Sequence, residues 1–419
     1  MTLMSRFLHA LQCGLSTTER TSRRHHSRSV NHRIHSTEQF EIRSLLTAGF
    51  AADKIILSLQ AGADQQAILN TFPGSRMKPL GDYGLYVVNL PSAVAPTTAV
   101  AKFTVTAGVN FAELDWEISA EAVPNDPQFS SQWGLQNIGQ TVGGNVGTPG
   151  ADTDATLAWD TIKGSKSVIV AINDTGIDYT HQDLAANMWV NPGEIAGNGI
   201  DDDANGYVDD INGYDFGSND ADPAPDPGLG NDHGTHVAGI VGAVGNNGLG
   251  VSGVNWNVSL MAVKIFGNNN FISAAVEGMN YAVAMGAFVS NHSYNTGTGG
   301  PIQSYQAAVL NAQSKGHVIS TSAGNTGGDN DVIDHYPSDY PFDNVVAVAA
   351  TDNQDLIAGF SNFGLTTVHL GAPGVDVLST LLANTYGLNS GTSMASPHVA
   401  GAVALLKSLR PDLDYREIL

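Results

Sequence analysis

Five short apolar runs, 168–172, 260–265, 287–290, 317–321 and 345–349, alternate along the chain with helical stretches such as 273–284 and 303–315. Runs without polar alternation read as strands buried on both faces, and strands separated by helices pair in parallel. The expected architecture is therefore an α/β domain of three layers around a mostly parallel central sheet. Open parallel sheets collect ligand and catalytic groups at the carboxyl ends of their strands. Asp174 stands just beyond the first run, and the Asp- and Pro-rich stretch 218–232 reads as a loop leading into His233. No internal repeat, heptad pattern or low-complexity linker interrupts this plan.

Three glycine-framed segments carry chemistry: DTGID at 174–178, HGTHVAG at 233–239 and GTSMASPHVAG at 391–401. They offer an acid, a base and a nucleophile. His233 opens a segment of small apolar residues and glycines, 233–244, expected to be a buried helix with the imidazole at its start. Ser393 follows Gly391, which permits a tight turn, and precedes a helix expected over about 396–409, with Val399, Ala400, Val403 and Leu406 on its apolar side. Pro397 is expected in the first turn of that helix, the position that tolerates proline. Backbone N–H groups and the helix dipole there would face a developing oxyanion. Singly, an Asp, His or Ser says little, because most are ordinary hydrogen-bonded residues. Three such sites in the order Asp, His, Ser point to nucleophilic hydrolysis.

In these motifs the chain resembles the subtilisin-like serine peptidases, the subtilases, nearly residue for residue. The resemblance implies a subtilisin-like α/β fold with Ser393 as nucleophile, His233 as general base and acid, and Asp174 orienting the imidazole. It also implies that Asn325, in SAGNTG, donates to the oxyanion, although read alone Asn325 is equally a turn residue beside Gly324. Two extended segments would pair with the peptide as strands, one at Ser293, Tyr294 and Asn295, the other at 267–270. Both depart from the glycine-rich pattern of the family. Ser322, Ala323 and Gly324 would wall the pocket for the residue before the scissile bond. His335 falls near its floor, where it either favours polar or acidic side chains or turns away into the loop.

The acidic run 201–210, DDDANGYVDD, places oxygens at alternate positions before a glycine, so Asp201, Asp203, Asn205 and Asp210 are candidate Ca²⁺ ligands. A complete EF-hand is not expected, because Asn212 occupies the place of the closing glutamate. By resemblance alone, a second structural Ca²⁺ site would draw on Asp126, Asp183, Asn247 and the carbonyls of Leu249 and Val251.

At 419 residues the chain has room for one domain of about 250–300 residues and a smaller one. Seven of the eighteen Lys and Arg residues are arginines within the first 43 positions, whereas from residue 47 onward 37 acidic residues face 11 basic ones. Residues 1–47 are therefore read as a basic tail, disordered or targeting. The acidic body argues against nucleic acid as a partner. Cys13 is the only cysteine, which excludes an intrachain disulfide. No apolar run approaches the roughly 20 residues of a membrane span, and the first residues make too short an apolar core for a clear signal peptide.

Residues 48–120 show an α+β pattern, with strands expected over 54–60, 83–90 and 111–116 and a helix over 64–72. The resemblance implies a prodomain that assists folding and inhibits the enzyme from within the chain until it is cut away, between about residues 116 and 123. Residues 121–419 would be the catalytic domain. Its last helix, expected from Asp412, ends after a few residues, so the domain reads as truncated. The whole is expected to be a secreted or cell-surface, calcium-stabilised endopeptidase zymogen acting on protein or peptide substrates. A catalytically silent binding module and a processing peptidase restricted to one partner remain alternatives.

Overall fold

Burial alternates along β1 (Phe50–Leu59), with Ile55, Leu57 and Leu59 turned inward, and this sets the inner face of the smaller of two units. The computed structural model describes residues 50–116, 122–226, 231–267, 270–296 and 300–419, and the chain divides between Ala120 and Glu121. In the smaller unit β1 is followed by α1 (Gln65–Leu69), β2 (Arg76–Pro79), β3 (Leu85–Asn89), α2 (Pro96–Thr104) and β4 (Val109–Trp116). The sheet is antiparallel in the order β2-β3-β1-β4. Asp64 caps α1 by accepting from Ala67 N at 3.0 Å. Strand β2 and helix α2 were not expected from the sequence. Helix α2 forms because Pro96 suits a helix start and Ala99 and Phe103, four residues apart, bury together against the sheet.

The larger unit begins with a hairpin of β5 (Thr141–Val142) and β6 (Asn145–Val146) and a short α3 (Ala155–Trp159). There follow β7 (Gly164–Asp174), β8 (Gly213–Asp215), α4 (His233–Gly242), β9 (Asn257–Lys264), α5 (Ile272–Ala284), β10 (Val289–His292), α6 (Gln303–Ser314), β11 (Val318–Ser322), β12 (Val345–Thr351) and β13 (Leu370–Pro373). A second hairpin, β14 (Val377–Leu381) and β15 (Thr385–Asn389), leads into α7 (Thr392–Leu409) and α8 (Tyr415–Ile418). Seven strands form one parallel sheet in the order β13-β12-β11-β10-β7-β9-β8. Side chains of α4 and α7 pack on one face and those of α5 and α6 on the other, giving the three-layer α/β fold read from the sequence.

Two boundaries differ from the sequence reading in ways that matter for the site. Asp174 is the last residue of β7, not the residue after it. Helix α7 starts at Thr392, so Ser393 lies in its first turn and Pro397 in its second. A proline there lacks the N–H that would bond the carbonyl four residues back, which is that of Ser393. The Ser293 hydroxyl donates to the Ser393 carbonyl at 2.8 Å instead, and this replacement lets the helix run through the proline. Helix α8 starts later than expected, behind a capping box of Asp414 and Glu417.

Candidate active site

Strand parity decides which side chains reach the site. On β7, Val168, Val170 and Ile172 face the core shared with α4 and α7, whereas Ala171 faces the core under α5 and α6. Asp174 has the parity of Ile172 and therefore projects toward α4 and α7, at the carboxyl end of the strand. His233 is the first residue of α4, and its Nδ1 lies 2.7 Å from Asp174 Oδ1. Gly234 must be small, because a Cβ there would run into the Gly176 carbonyl oxygen. Its N–H donates to Thr175 Oγ1 at 2.9 Å, which fixes the helix start onto the turn after β7.

A carboxylate only accepts, so the proton of the pair sits on Nδ1 and Nε2 of neutral His233 is left to accept one. Asp174 is 1% exposed; its Oδ1 also accepts from Thr175 N at 2.8 Å, and its buried Oδ2 receives no hydrogen bond from the described residues. Burial pushes the His233 pKa down, but the Asp174 charge and hydrogen bond, helped by Asp232, outweigh it and hold the pKa above the ordinary 6.5.

The same parity on β10 turns Asn291 and Ser293 toward α7. Ser293 Oγ donates to the Ser393 carbonyl, and Ser393 Oγ donates to the Ser293 carbonyl at 3.3 Å. Asn291 Nδ2 donates to Ser293 Oγ at 2.8 Å and its Oδ1 accepts from Ser396 Oγ at 2.7 Å, so the sheet grips the first two turns of α7. Because His292 is in register with Asn173, Ser293 and Asp174 leave the same edge of neighbouring strands.

Asn325 follows the end of β11 and is exposed. Its Oδ1 accepts from Thr392 N at 2.8 Å and Thr392 Oγ1 at 2.9 Å, which leaves Nδ2 as its donor. A Cβ on Gly391 would stand 3.6 Å from both Asn325 Nδ2 and Ser393 N, so two N–H donors flank one small space beside the serine. Such a pair can stabilise a developing oxyanion.

Of the expected substrate contacts, Ser293, Tyr294 and Asn295 follow β10, and Ser322, Ala323 and Gly324 are buried and lead directly to Asn325. The segment 267–270 is described only at Gly267 and Asn270, whose Oδ1 accepts from Gly267 N at 3.0 Å. The His335 ring lies against Gly324, where a Cβ would meet its Nε2 at 2.7 Å, and burial lowers its pKa. The tail with Cys13 and the expected cut after residue 116 lie outside the described residues, apart from Trp116 itself and 122–123.

Both acidic regions are organised. Buried Asp126 accepts from Asn246 N at 2.7 Å and Asn247 N at 3.1 Å; buried Asp183 accepts from Asn247 Nδ2 at 2.7 Å and Val251 N at 3.0 Å. Asn247 Oδ1 accepts from Leu249 N at 2.7 Å. Burial, and after it the charge of Asp183, raise the Asp126 pKa against the pull of the backbone N–H groups. Two neighbouring buried carboxylates with no Lys or Arg partner among the described residues suit a hard cation.

In the second region Glu194, Asp203 and Asp210 bring carboxylate oxygens within 4.8 Å of one another. Asn205 Nδ2 donates to Asp203 Oδ2 at 3.2 Å and Asp210 Oδ2 at 3.0 Å. Asp201 stands apart from this cluster and caps the turn, accepting from Asn205 N at 3.1 Å and Gly206 N at 2.8 Å. Glu194 was missed in the sequence because it lies before the acidic run. It is drawn in by the Asp202 and Asp209 N–H groups, at 2.8 and 3.1 Å.

The subtilase family model matches residues 165–418. A thermophilic serine proteinase of Bacillus sp. (strain AK1) is 37% identical over 315 residues, which cover 74% of this chain and 66% of that protein. Thermitase of Thermoactinomyces vulgaris is 38% identical over 288 residues, covering 68% of this chain and 85% of thermitase. Among solved structures, a protease from Pseudoalteromonas arctica PAMC 21717 is similar with a TM-score of 0.55 and 32% identity, over 71% of this chain and 90% of that one.

Proposed function

Because this chain belongs to the subtilase family of serine peptidases, we propose that it is a serine endopeptidase that cuts peptide bonds in proteins through an acyl-enzyme on Ser393. Ser393 Oγ attacks the scissile carbonyl carbon while His233 Nε2 takes its proton. Asp174 keeps the other proton on Nδ1 and stabilises the imidazolium that forms. Asn325 Nδ2 and Ser393 N–H receive the tetrahedral oxyanion. His233 returns its proton to the leaving amine, and water then hydrolyses the ester by the same steps in reverse. The observation that carries this reading is the 2.7 Å pairing of His233 with buried Asp174 at the sheet edge from which Ser293 reaches Ser393. A fluorophosphonate probe is expected to label Ser393 and stop hydrolysis of casein; a folded protein that takes no label and cuts no casein excludes it.

Residues 48–120 act in this reading as a prodomain, an intramolecular inhibitor until cleavage between about residues 116 and 123. Its separate core supports independent folding. The mature enzyme works outside the cytoplasm, secreted or at the cell surface. Among the described residues no helix is long and apolar enough to cross a membrane.

Asn325→Ala is expected to lower kcat by about 10²- to 10³-fold with KM little changed, since the amide acts on charge that develops after binding. Steady-state kinetics on a peptide nitroanilide check this, and an equal rise in KM would assign Asn325 to ground-state binding instead.

Calcium is the structural cation proposed for both acidic regions: Asp126, Asp183, Asn247 and the Leu249 and Val251 carbonyls would hold one ion, and Glu194, Asp203, Asn205 and Asp210 another. Removing it with a chelator is expected to lower Tm by roughly 5–10 °C, the effect of a ligand present far above its Kd on a domain this size. Calorimetry with and without chelator, repeated on Asp183→Asn and Asp210→Asn, reads each site. A Tm indifferent to chelation in the parent protein would remove the calcium assignment.

A further inference from the structure

The residues of β10 that face away from α7 build a second network, on the opposite side of the sheet from the catalytic groups. Ser290 Oγ lies 2.7 Å from both His292 Nε2 and His317 Nε2. His317 Nδ1 lies 2.7 Å from the Ala287 carbonyl, and His292 Nδ1 lies 2.7 Å from the Tyr294 hydroxyl and 2.9 Å from that of Tyr305. The two hydroxyls are 2.9 Å apart. His292, His317, Ser290 and Tyr305 are fully buried, or within 2% of it.

Every proton in this string is fixed by its fully buried end. The Ala287 carbonyl only accepts, so His317 carries its proton on Nδ1. Burial holds both imidazoles neutral, with pKa values pushed down to about 4 for His317 and about 3 for His292. Bare Nε2 of His317 therefore accepts from Ser290, whose oxygen must then accept from His292 Nε2–H. This leaves Nδ1 of His292 bare, with a tyrosine hydroxyl donating to it. The string runs in one direction, from the phenols to the Ala287 carbonyl.

We propose that this string is a positioning device for peptide binding, with His292 and Tyr294 as positioning residues that fix the segment Ser293–Asn295 along the substrate. Tyr294 and His292 flank Ser293, whose carbonyl and hydroxyl both engage Ser393. Holding the Tyr294 ring on one side of the sheet fixes the backbone that turns Ser293 to the other. The Tyr294 ring also meets the Phe266 ring edge to face, with centroids 5.7 Å apart, and Phe266 precedes the other segment expected to flank the peptide. The string thus ties the substrate side of the cleft to the interior through hydrogen bonds, where an apolar side chain at 292 would supply packing alone.

The inference rests on the peptidase reading, and its test separates the two. In active, titrated enzyme, Tyr294→Phe is expected to raise KM for a blocked tetrapeptide p-nitroanilide about threefold to tenfold, the worth of one buried hydrogen bond, with kcat nearly unchanged. The corresponding single-residue substrate, too short to lie along Ser293–Asn295, is expected to keep its KM. In Ser393→Ala protein, which needs no catalysis, nitrogen NMR is expected to show His317 protonated at Nδ1 and His292 at Nε2, both neutral at pH 5. Parent enzyme that cuts no peptide defeats the peptidase reading. Parent enzyme that cuts the tetrapeptide with the KM of Tyr294→Phe, or the opposite histidine tautomers, overturns the positioning role. Tyr305→Phe provides the same reading if Tyr294→Phe fails to fold.

Discussion

Replacing Ser393 with alanine is expected to lower kcat by about 10⁶-fold while leaving the fold in place. The rate loss is large because no other group in the site can form the acyl intermediate: His233 would have no hydroxyl to deprotonate, and the oxyanion donors alone retain only a small part of the acceleration. The stability loss is small because the hydroxyl makes one long hydrogen bond, 3.3 Å to the Ser293 carbonyl. The bond that holds α7 through Pro397 uses the Ser393 backbone carbonyl, which alanine keeps. Tm is therefore expected to move by no more than a few degrees. The same variant decides the proposed self-processing. Intact-mass measurement should show the wild-type chain losing roughly its first 120 residues and the variant keeping them. If both keep them while the wild type cuts casein, the prodomain proposal fails and the peptidase proposal stands. If the variant cleaves peptides as fast as the wild type, Ser393 is not the nucleophile.

How much of this was legible in the sequence follows from where each signal resides. The central strands were readable because burial on both faces leaves them no polar alternation, as in Val345–Thr351. The two strands at the sheet edges, Gly213–Asp215 and Leu370–Pro373, were not. They are short, carry Gly, Asp or Pro, and are strands only because a neighbour pairs with them. The motif residues were readable because a reactive side chain beside obligatory small residues leaves a local imprint: Gly176 and Gly234 each stand where a Cβ would run into a backbone carbonyl oxygen. The start of α7 was misplaced because local propensity places Pro397 in a first turn, whereas the Ser293 hydroxyl, 100 residues away, supplies the missing donor. Glu194 and the His292 string were hidden for the same reason. Their roles depend on partners brought in from other elements, and a sequence lists those partners without pairing them.

Asp174→Asn is expected to lower kcat by about 10⁴-fold and to change the pH behaviour of His233 in a way that a general loss of structure would not. An amide can present either its oxygen or its nitrogen to Nδ1. Where it donates, the imidazole proton is forced onto Nε2, the atom that must accept from Ser393. The imidazolium formed during attack also loses its counter-charge. In the wild type, burial pulls the His233 pKa down and Asp174 more than restores it, so the acid limb of kcat/KM is expected above pH 6.5. With asparagine the Asp174 charge is gone and only the weaker pull of Asp232 opposes burial, so the residual activity should keep its acid limb below pH 6.5. Stability responds with the opposite sign in the two proteins. A histidine with a raised folded pKa contributes stability that is complete below pH 6.5 and is lost as pH rises through the folded value. One with a lowered pKa contributes stability present above pH 6.5 and lost as pH falls through the folded value. Wild type should therefore lose stability relative to the variant on going from pH 6 to 9. Denaturant unfolding of both proteins across that range, in the Ser393→Ala background to prevent self-digestion, reads the difference directly. Parallel profiles would mean that Asp174 does not set the charge of His233, and the orienting role assigned to it would fall.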